Sequence, residues 1–235
     1  MSDLGLIFSQ DEIDQIISGQ GTPPSIQKAL KEGATLRRVK RDSIYSTLRF
    51  CDAGGAGTIG NVPLAAGTFQ AFSGTVGQAG VQGFIPALTF AQTNLRKSGQ
   101  SPFSGIFVSR RLNIYIYGNS RAAANNSSDE VIDTLVNYSP LTFKKGTSFE
   151  WNVGPVKKAV NFRGNKLYSV VTDANGYGIG DGYDLGIPFV IAPEETLAAE
   201  LLVPNPAVHG LTLPATYVTD ITFELDGDAV ELVSQ

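Results

Sequence analysis

The chain has 235 residues and is 42% hydrophobic, enough to bury one large core, and its 26 glycines and 12 prolines against 17% charged residues favour short strands joined by turns. With 18 Lys and Arg against 22 Asp and Glu the net charge is −4, so no overall positive field draws the protein to nucleic acid or acidic lipid. A single cysteine, Cys51, excludes an intrachain disulfide and a cysteine-rich metal site, and the single histidine, His209, lies in a proline-rich loop with no nucleophile motif in the chain, so Ser-His-Asp or Cys-His catalysis is not expected.

Met1 to Phe8 lacks the basic region and long apolar core of a secretory leader, and no run approaches the roughly 18 apolar residues of a membrane span. The protein is therefore expected to be made in a cytosol. Residues 9–18 carry a helix signal. Ser9 stands at the N-cap with Glu12 completing a capping box, Phe8 and Ile13 form a hydrophobic staple, and Ile13, Ile16 and Ile17 make one apolar stripe ending at Gly19. A second short helix follows, with Thr22 as cap, Pro23 at the first helical position, Ile26, Ala29 and Leu30 on one face, and Gly33 as stop. Two such helices bury little against each other. Residues 1–34 are thus read as an N-terminal helical arm whose stripe, Ile13, Ile16 and Ile17, docks on the protein's own body, on a neighbouring subunit or on a membrane surface. Deletion of residues 1–20 is expected to spare folding and impair assembly.

Residues 35–235 are read as a single β-sandwich domain with long Gly- and Pro-rich loops. Thr35–Lys40 and Ser43–Phe50 read as two strands, and the basic group Arg37, Arg38, Lys40 and Arg41 between them could meet phosphates or pair with the carboxylates of this acidic chain. No aromatic interleaving accompanies it, so nucleic-acid contact is not expected. Gly55-Ala-Gly57-Thr-Ile-Gly60 matches a dinucleotide-binding pattern in form only, because no helix opens at Asn61-Val-Pro63 and no acidic residue follows about 20 positions on. Further strands are predicted around Phe69–Phe72, Phe84–Phe90, Thr93–Leu95 and Phe103–Gly118, the last with a phase break at Arg110-Arg111 that marks a bulge. Val131–Val136, Leu141–Phe143, Phe149–Val153, Val156–Phe162, Leu167–Val171, Ile187–Ile191 and Thr196–Val203 follow. At the end, Ile221, Phe223 and Leu225 alternate with polar residues, Asp226-Gly227 offers a two-residue turn, and Val230 and Leu232 resume, which predicts a closing hairpin. About eleven strands with turns between them predict an all-β sandwich or jelly roll.

Asp173, Asn175, Asp181 and Asp184 fall at positions 1, 3, 9 and 12 of a calcium-type loop with Gly178 at position 6. Position 5 is Tyr177 and position 12 lacks the longer Glu, so a flexible surface loop is the competing reading. Glu194-Glu195 and Asp181/Asp184 are the only suggestive carboxylate pairs, and Trp151 alone is a thin platform for sugar, so no catalytic residue and no cofactor is assigned.

Phe69-Gln-Ala-Phe72, Gly77-Gln78, Thr93-Asn-Leu95 with Gly99-Gln-Ser-Pro102, the long strand after it, and Ile187-Pro-Phe-Val-Ile-Ala-Pro193 leading to Thr219–Gly227 together resemble the jelly-roll structural proteins of icosahedral bacteriophage virions over roughly residues 68–233. The resemblance implies a capsid subunit that self-assembles, through trimers or pseudo-hexameric capsomers, into a virion shell. The rival expectations are another virion component, such as a spike, tail or decoration subunit, and a carbohydrate-binding β-sandwich.

Overall fold

The computed structural model describes residues 7–18, 22–51, 66–84, 86–120, 148–153, 160–163, 171–172, 178–179, 183–193, 195–203 and 217–234. Two short helices open them. α1 (Gln10–Ser18) starts at the expected capping box: the Ser9 N–H donates to Glu12 Oε2 at 3.0 Å and the Glu12 N–H returns to Ser9 Oγ at 3.3 Å. α2 (Pro24–Lys31) begins one residue later than predicted, with Pro23 as N-cap and no side-chain cap. Thr22 is buried and its hydroxyl donates instead to the Ile16 carbonyl near the end of α1, so it ties the two helices together. Gly33, at φ 96°, turns the chain out of α2 while the Ala34 N–H reaches back to the Ala29 carbonyl at 3.0 Å.

The rest is antiparallel sheet. The first sheet has the order β1-β10-β3-β8, where β1 is Thr35–Cys51, β3 Ile106–Ser120, β8 Tyr183–Ile191 and β10 Tyr217–Val233. The second has the order β2-β9-β4-β5, from Gly67–Ala71, Leu197–Val203, Ser148–Val153 and Val160–Arg163. A two-stranded piece pairs β6 (Val171–Thr172) with β7 (Gly178–Ile179). Both four-stranded sheets contribute to one core: Ile44, Phe50, Phe107, Leu112, Ile191, Ile221, Phe223 and Leu225 from the first meet Ala71, Leu197, Ala199 and Leu201 from the second. The Phe50 and Phe69 rings meet edge to face at 4.8 Å across the two sheets. The fold is an all-β sandwich with two short helices, as composition and alternation predicted.

Three sequence expectations change. The two strands predicted before Phe50 are one strand of 17 residues, with Val39 bulged between Arg38 and Lys40. Phe84–Phe90 and Thr93–Leu95 are not strands; Phe84, Leu88 and Leu95 are buried, but in a segment of turns and isolated bridges between β2 and β3. The closing hairpin is absent: β10 runs straight through Asp226-Gly227 and pairs along its length with β1 on one side and β3 on the other. Gly227 does not take the positive φ a type I′ turn needs; it is small because a Cβ there would lie 2.1 Å from the Val108 carbonyl oxygen. The predicted bulge at Arg110-Arg111 is present, since Ser109 and Arg111 pair with consecutive residues of β10 and leave Arg110 extra.

These details explain the change of apolar phase. From Asp220 to Glu224 the outer face of β10 is polar and matched across strands: Arg49 with Asp220, Thr47 with Thr222 at 2.8 Å, and Asn113 with Glu224 at 3.4 Å. Beyond the bulges the outer face becomes apolar. Leu36, Ile106, Val108, Val190 and Val230 form a second core there under Phe8 and Ile16, with Ile13, Ile26 and Leu30 packed against it. The apolar phase shifts at Val230 because the helices cover that part of the sheet, not because the chain turns.

Candidate assembly surfaces

The apolar patch on the outer face needs a cover, and α1 supplies it. Phe8 and Ile16 are buried and Ile13 packs beside them, whereas Ile17 is half-buried. For Ile16, of the three partners left open by the sequence, the structure shows the protein's own body. Charge then fixes the helix in place. Glu12 Oε1 lies 3.2 Å from Arg38 Nη2 and 3.7 Å from Arg110 Nη2; Asp228, whose side chain is 8% exposed, meets Arg38 Nε and Arg110 Nε at 3.1 Å each. Two cations and two anions balance around the buried Asp228, with Glu12, Arg38 and Arg110 partly exposed. The Phe8 ring lies under both guanidinium groups, 4.7 Å from that of Arg38 and 5.8 Å from that of Arg110. The Ser9 N–H, opposed by burial and aided by the Ser9 hydroxyl and the two arginines, holds the Glu12 carboxyl below its ordinary value.

This accounts for much of the predicted basic group. Arg38 belongs to the cluster, Lys40 pairs with Asp42, and Arg41 Nη2 meets Asp226 Oδ2 at 2.7 Å. Arg37 stands opposite Glu231 in the β1/β10 register and is bridged to Ile7 on the free edge of β1. These cations serve carboxylates of the same chain, as the acidic composition allowed.

Of the predicted calcium residues, only Asp184 lies on the described part of the chain. Asp184 is exposed (77%) and binds Arg111 Nε at 2.8 Å; Asp173, Asn175 and Asp181 lie outside the described residues, as do His209, Glu194 and the stretch 52–65 with its glycine pattern. Glu195 accepts the Ala192 N–H at 2.9 Å. Among the described residues no three His, Cys, Asp or Glu side chains are placed to hold a metal, and no helix is long and apolar enough to cross a membrane.

Two surfaces were not foreseen. The first is the segment 72–105, whose buried Phe72 and Leu95 join the main core, whose Phe84 and Leu88 are also buried, and which is pinned to the first sheet. Arg49 grips Asp220 with two 2.8 Å bonds while its guanidinium covers the Phe84 ring at 4.1 Å, and the Arg49 N–H donates to the Gln82 carbonyl. Asn94 closes the edge of β1 by accepting the Tyr45 N–H and donating to the Ser43 carbonyl. At its tip Thr89 gives both its N–H and its hydroxyl to Gln92 Oε1, and the Tyr45 hydroxyl donates to the Phe90 carbonyl. Burial, then the Asp42 and Glu224 carboxylates, push the Tyr45 hydroxyl up, which keeps it a donor. Phe90 itself stands 60% exposed on this fixed turn. The sequence signal was present: Thr89-x-x-Gln92 has the spacing of the Ser9-x-x-Glu12 box. The second surface is a cleft of about 390 Å³ at the opposite end, between α2, the start of β3 and the end of β10, with Leu232 and Val233 exposed at its side of the sheet.

No protein-family model, curated protein or solved structure matches the chain.

Proposed function

We propose that the chain is a jelly-roll structural protein of a virion, a capsid subunit of an icosahedral bacteriophage that assembles with copies of itself into the shell. Strand order carries this reading. With the two-residue strands β6 and β7 set aside, the eight other strands among the described residues, numbered in chain order, stand in the orders 1-8-3-6 and 2-7-4-5. The pairs 1·8, 2·7, 3·6 and 4·5 are those of one long antiparallel ribbon folded over and wrapped into two sheets, the double Greek key of a jelly roll.

Jelly rolls also serve as lectins and cupins, so the fold alone does not select a role. Three features favour the shell. Both long sheet faces are spoken for, one by the second sheet and one in part by the helices, so the β1-β10-β3-β8 sheet makes a rigid slab. Its edge strand β1 is closed by Ile7 and Phe8 at one end and by Asn94 at the other, which steers copies away from edge-to-edge pairing. Among the described residues, large apolar side chains are left exposed at Ile7, Val39, Phe90, Leu202, Leu232 and Val233. Repeated contacts of such side chains, each modest, close a symmetric shell when the brick is rigid.

Light scattering on the purified protein tests the reading. Trimers, capsomers or closed particles are expected. A monomer at every soluble concentration that binds glycans, and loses them in Trp151→Ala, points to the carbohydrate-binding alternative and sinks the shell.

A further inference from the structure

We propose that the turn Val81–Phe84 is a latch on the edge of β1, and that the lobe around it, residues 74–84 and 86–92, swings off the sheet as a unit while the sandwich stays folded. The latch stands whether or not copies of the chain assemble.

The lobe is tied together by its own bonds. The Gly77 N–H donates to the Leu88 carbonyl and the Leu88 N–H to the Gln78 carbonyl, both at 2.8 Å, and Gln78 Oε1 accepts the Thr75 N–H at 3.2 Å. Leu88 packs so close to Gly74 that a Cβ there would lie 2.6 Å from the Leu88 Cδ1. The ends of the lobe are neighbours, since the Val76 N–H donates to the Leu95 carbonyl at 2.9 Å. Both ends are anchored: Phe72 and Leu95, just outside the lobe, are buried in the main core. A compact loop with adjacent, anchored ends can move without carrying the sandwich with it.

The latch itself is strained. The Val81 carbonyl accepts the Phe84 N–H at 2.9 Å, and both central residues of the turn have positive φ, 53° at Gln82 and 84° at Gly83. Gly83 suits its place, because a Cβ there would lie 2.0 Å from the Arg49 carbonyl oxygen. Gln82 does not, since its Cβ crowds its own carbonyl at positive φ, and such a residue persists only where its surroundings hold it. Those surroundings are β1. The Arg49 N–H donates to the Gln82 carbonyl at 2.9 Å, and Gln82 Nε2 donates at 2.9 Å to Ser46 Oγ, which also accepts the Phe72 N–H at 3.1 Å. Phe72 stands at φ 61° and Ser46 is 0% exposed, so one buried hydroxyl holds both non-glycine residues of positive φ among the described residues. Docking also leaves Gln82 Oε1 buried without a hydrogen-bond partner. Opening relaxes Gln82 and returns that oxygen to water, so two local penalties of the closed state favour release. It bares the backbone of β1 at Arg49, an unpaired strand edge of the kind folded proteins keep covered.

Amide hydrogen exchange, read residue by residue on wild type, Ser46→Ala and Gln82→Ala, tests this. Ser46→Ala removes the shared acceptor. Gln82→Ala, at a half-buried position, removes only the side-chain bond and keeps the strained backbone, so it serves even if Ser46→Ala fails to fold. In the wild type the Arg49 amide is expected to exchange at least about tenfold faster than Ile221, Phe223 and Leu225 of β10 and than Gly77 and Leu88 inside the lobe. Each variant is expected to speed Arg49 by about another tenfold and to leave the β10 and inner lobe amides unchanged. A wild-type Arg49 as slow as β10 opens only by global unfolding and overturns the proposal. Variants that leave Arg49 unchanged, or that speed β10 equally, overturn the latch. Gly77 and Leu88 speeding together with Arg49 means that the lobe unravels in place, which overturns its movement as a unit.

Discussion

Gly227 shows how a single residue can hold a long strand straight. Val108 and Ser109 of β3 press so close to it that a methyl group would lie 2.1 Å from a backbone oxygen, and backbone cannot move aside as a side-chain tip can. Gly227→Ala is expected to cost at least about 2 kcal/mol in urea unfolding. In the sequence the same residue reads as half of a turn, because Asp-Gly satisfies a turn and a close approach equally well and the neighbour that decides lies more than a hundred positions away. Arg49 and Asp220 are a second case. Their side chains are 10% and 14% exposed, so Asp220→Ala leaves a cation stranded in the sheet, at about 3–5 kcal/mol by the same measurement. Glu12 adds a pH dependence. Its folded carboxyl titrates below the ordinary 4.5, so its contribution is fully present above that value and is lost as pH falls through the lowered one. Acid should loosen the arm in the wild type, as read by amide exchange of α1, while Glu12→Gln removes that acid step and leaves the arm at its weaker level at neutral pH.

At the scale of the element, α1 was legible because its signals are local: a capping box, a staple and a stripe within nine residues. Its docking face was not, since Leu36, Ile106, Val108, Val190 and Val230 come from four strands scattered along the chain. The arm is therefore part of the fold. Ile16→Ala removes a side chain that is 0% exposed and should destabilise by about 2–5 kcal/mol, and deletion of residues 1–20, expected from the sequence to spare folding, now predicts a lower melting temperature with the outer patch laid bare. β10 teaches the converse. Alternation correctly marked Ile221, Phe223 and Leu225 as core, but the phase change at Val230 registers a change of what covers the strand, and one strand's pattern does not distinguish cover from turn.

For the whole molecule, alternation and turn residues were sufficient to predict a sandwich, because each strand reports its own buried face. Pairing order was beyond them. β1 and β10 lie side by side although they stand at opposite ends of the described chain, and only the folded molecule brings them together. The exposed turn at Phe90 and the cleft by Leu232 were likewise hidden, one in a segment mistaken for strand and one assembled from α2, β3 and β10. A guarded β1 edge and apolar side chains left exposed on a sandwich with one shared core are what support the proposal of a subunit that packs against copies of itself. Electron microscopy of the purified protein across concentration tests that claim most directly: closed particles or regular capsomers are predicted, and a dispersed monomer throughout contradicts it.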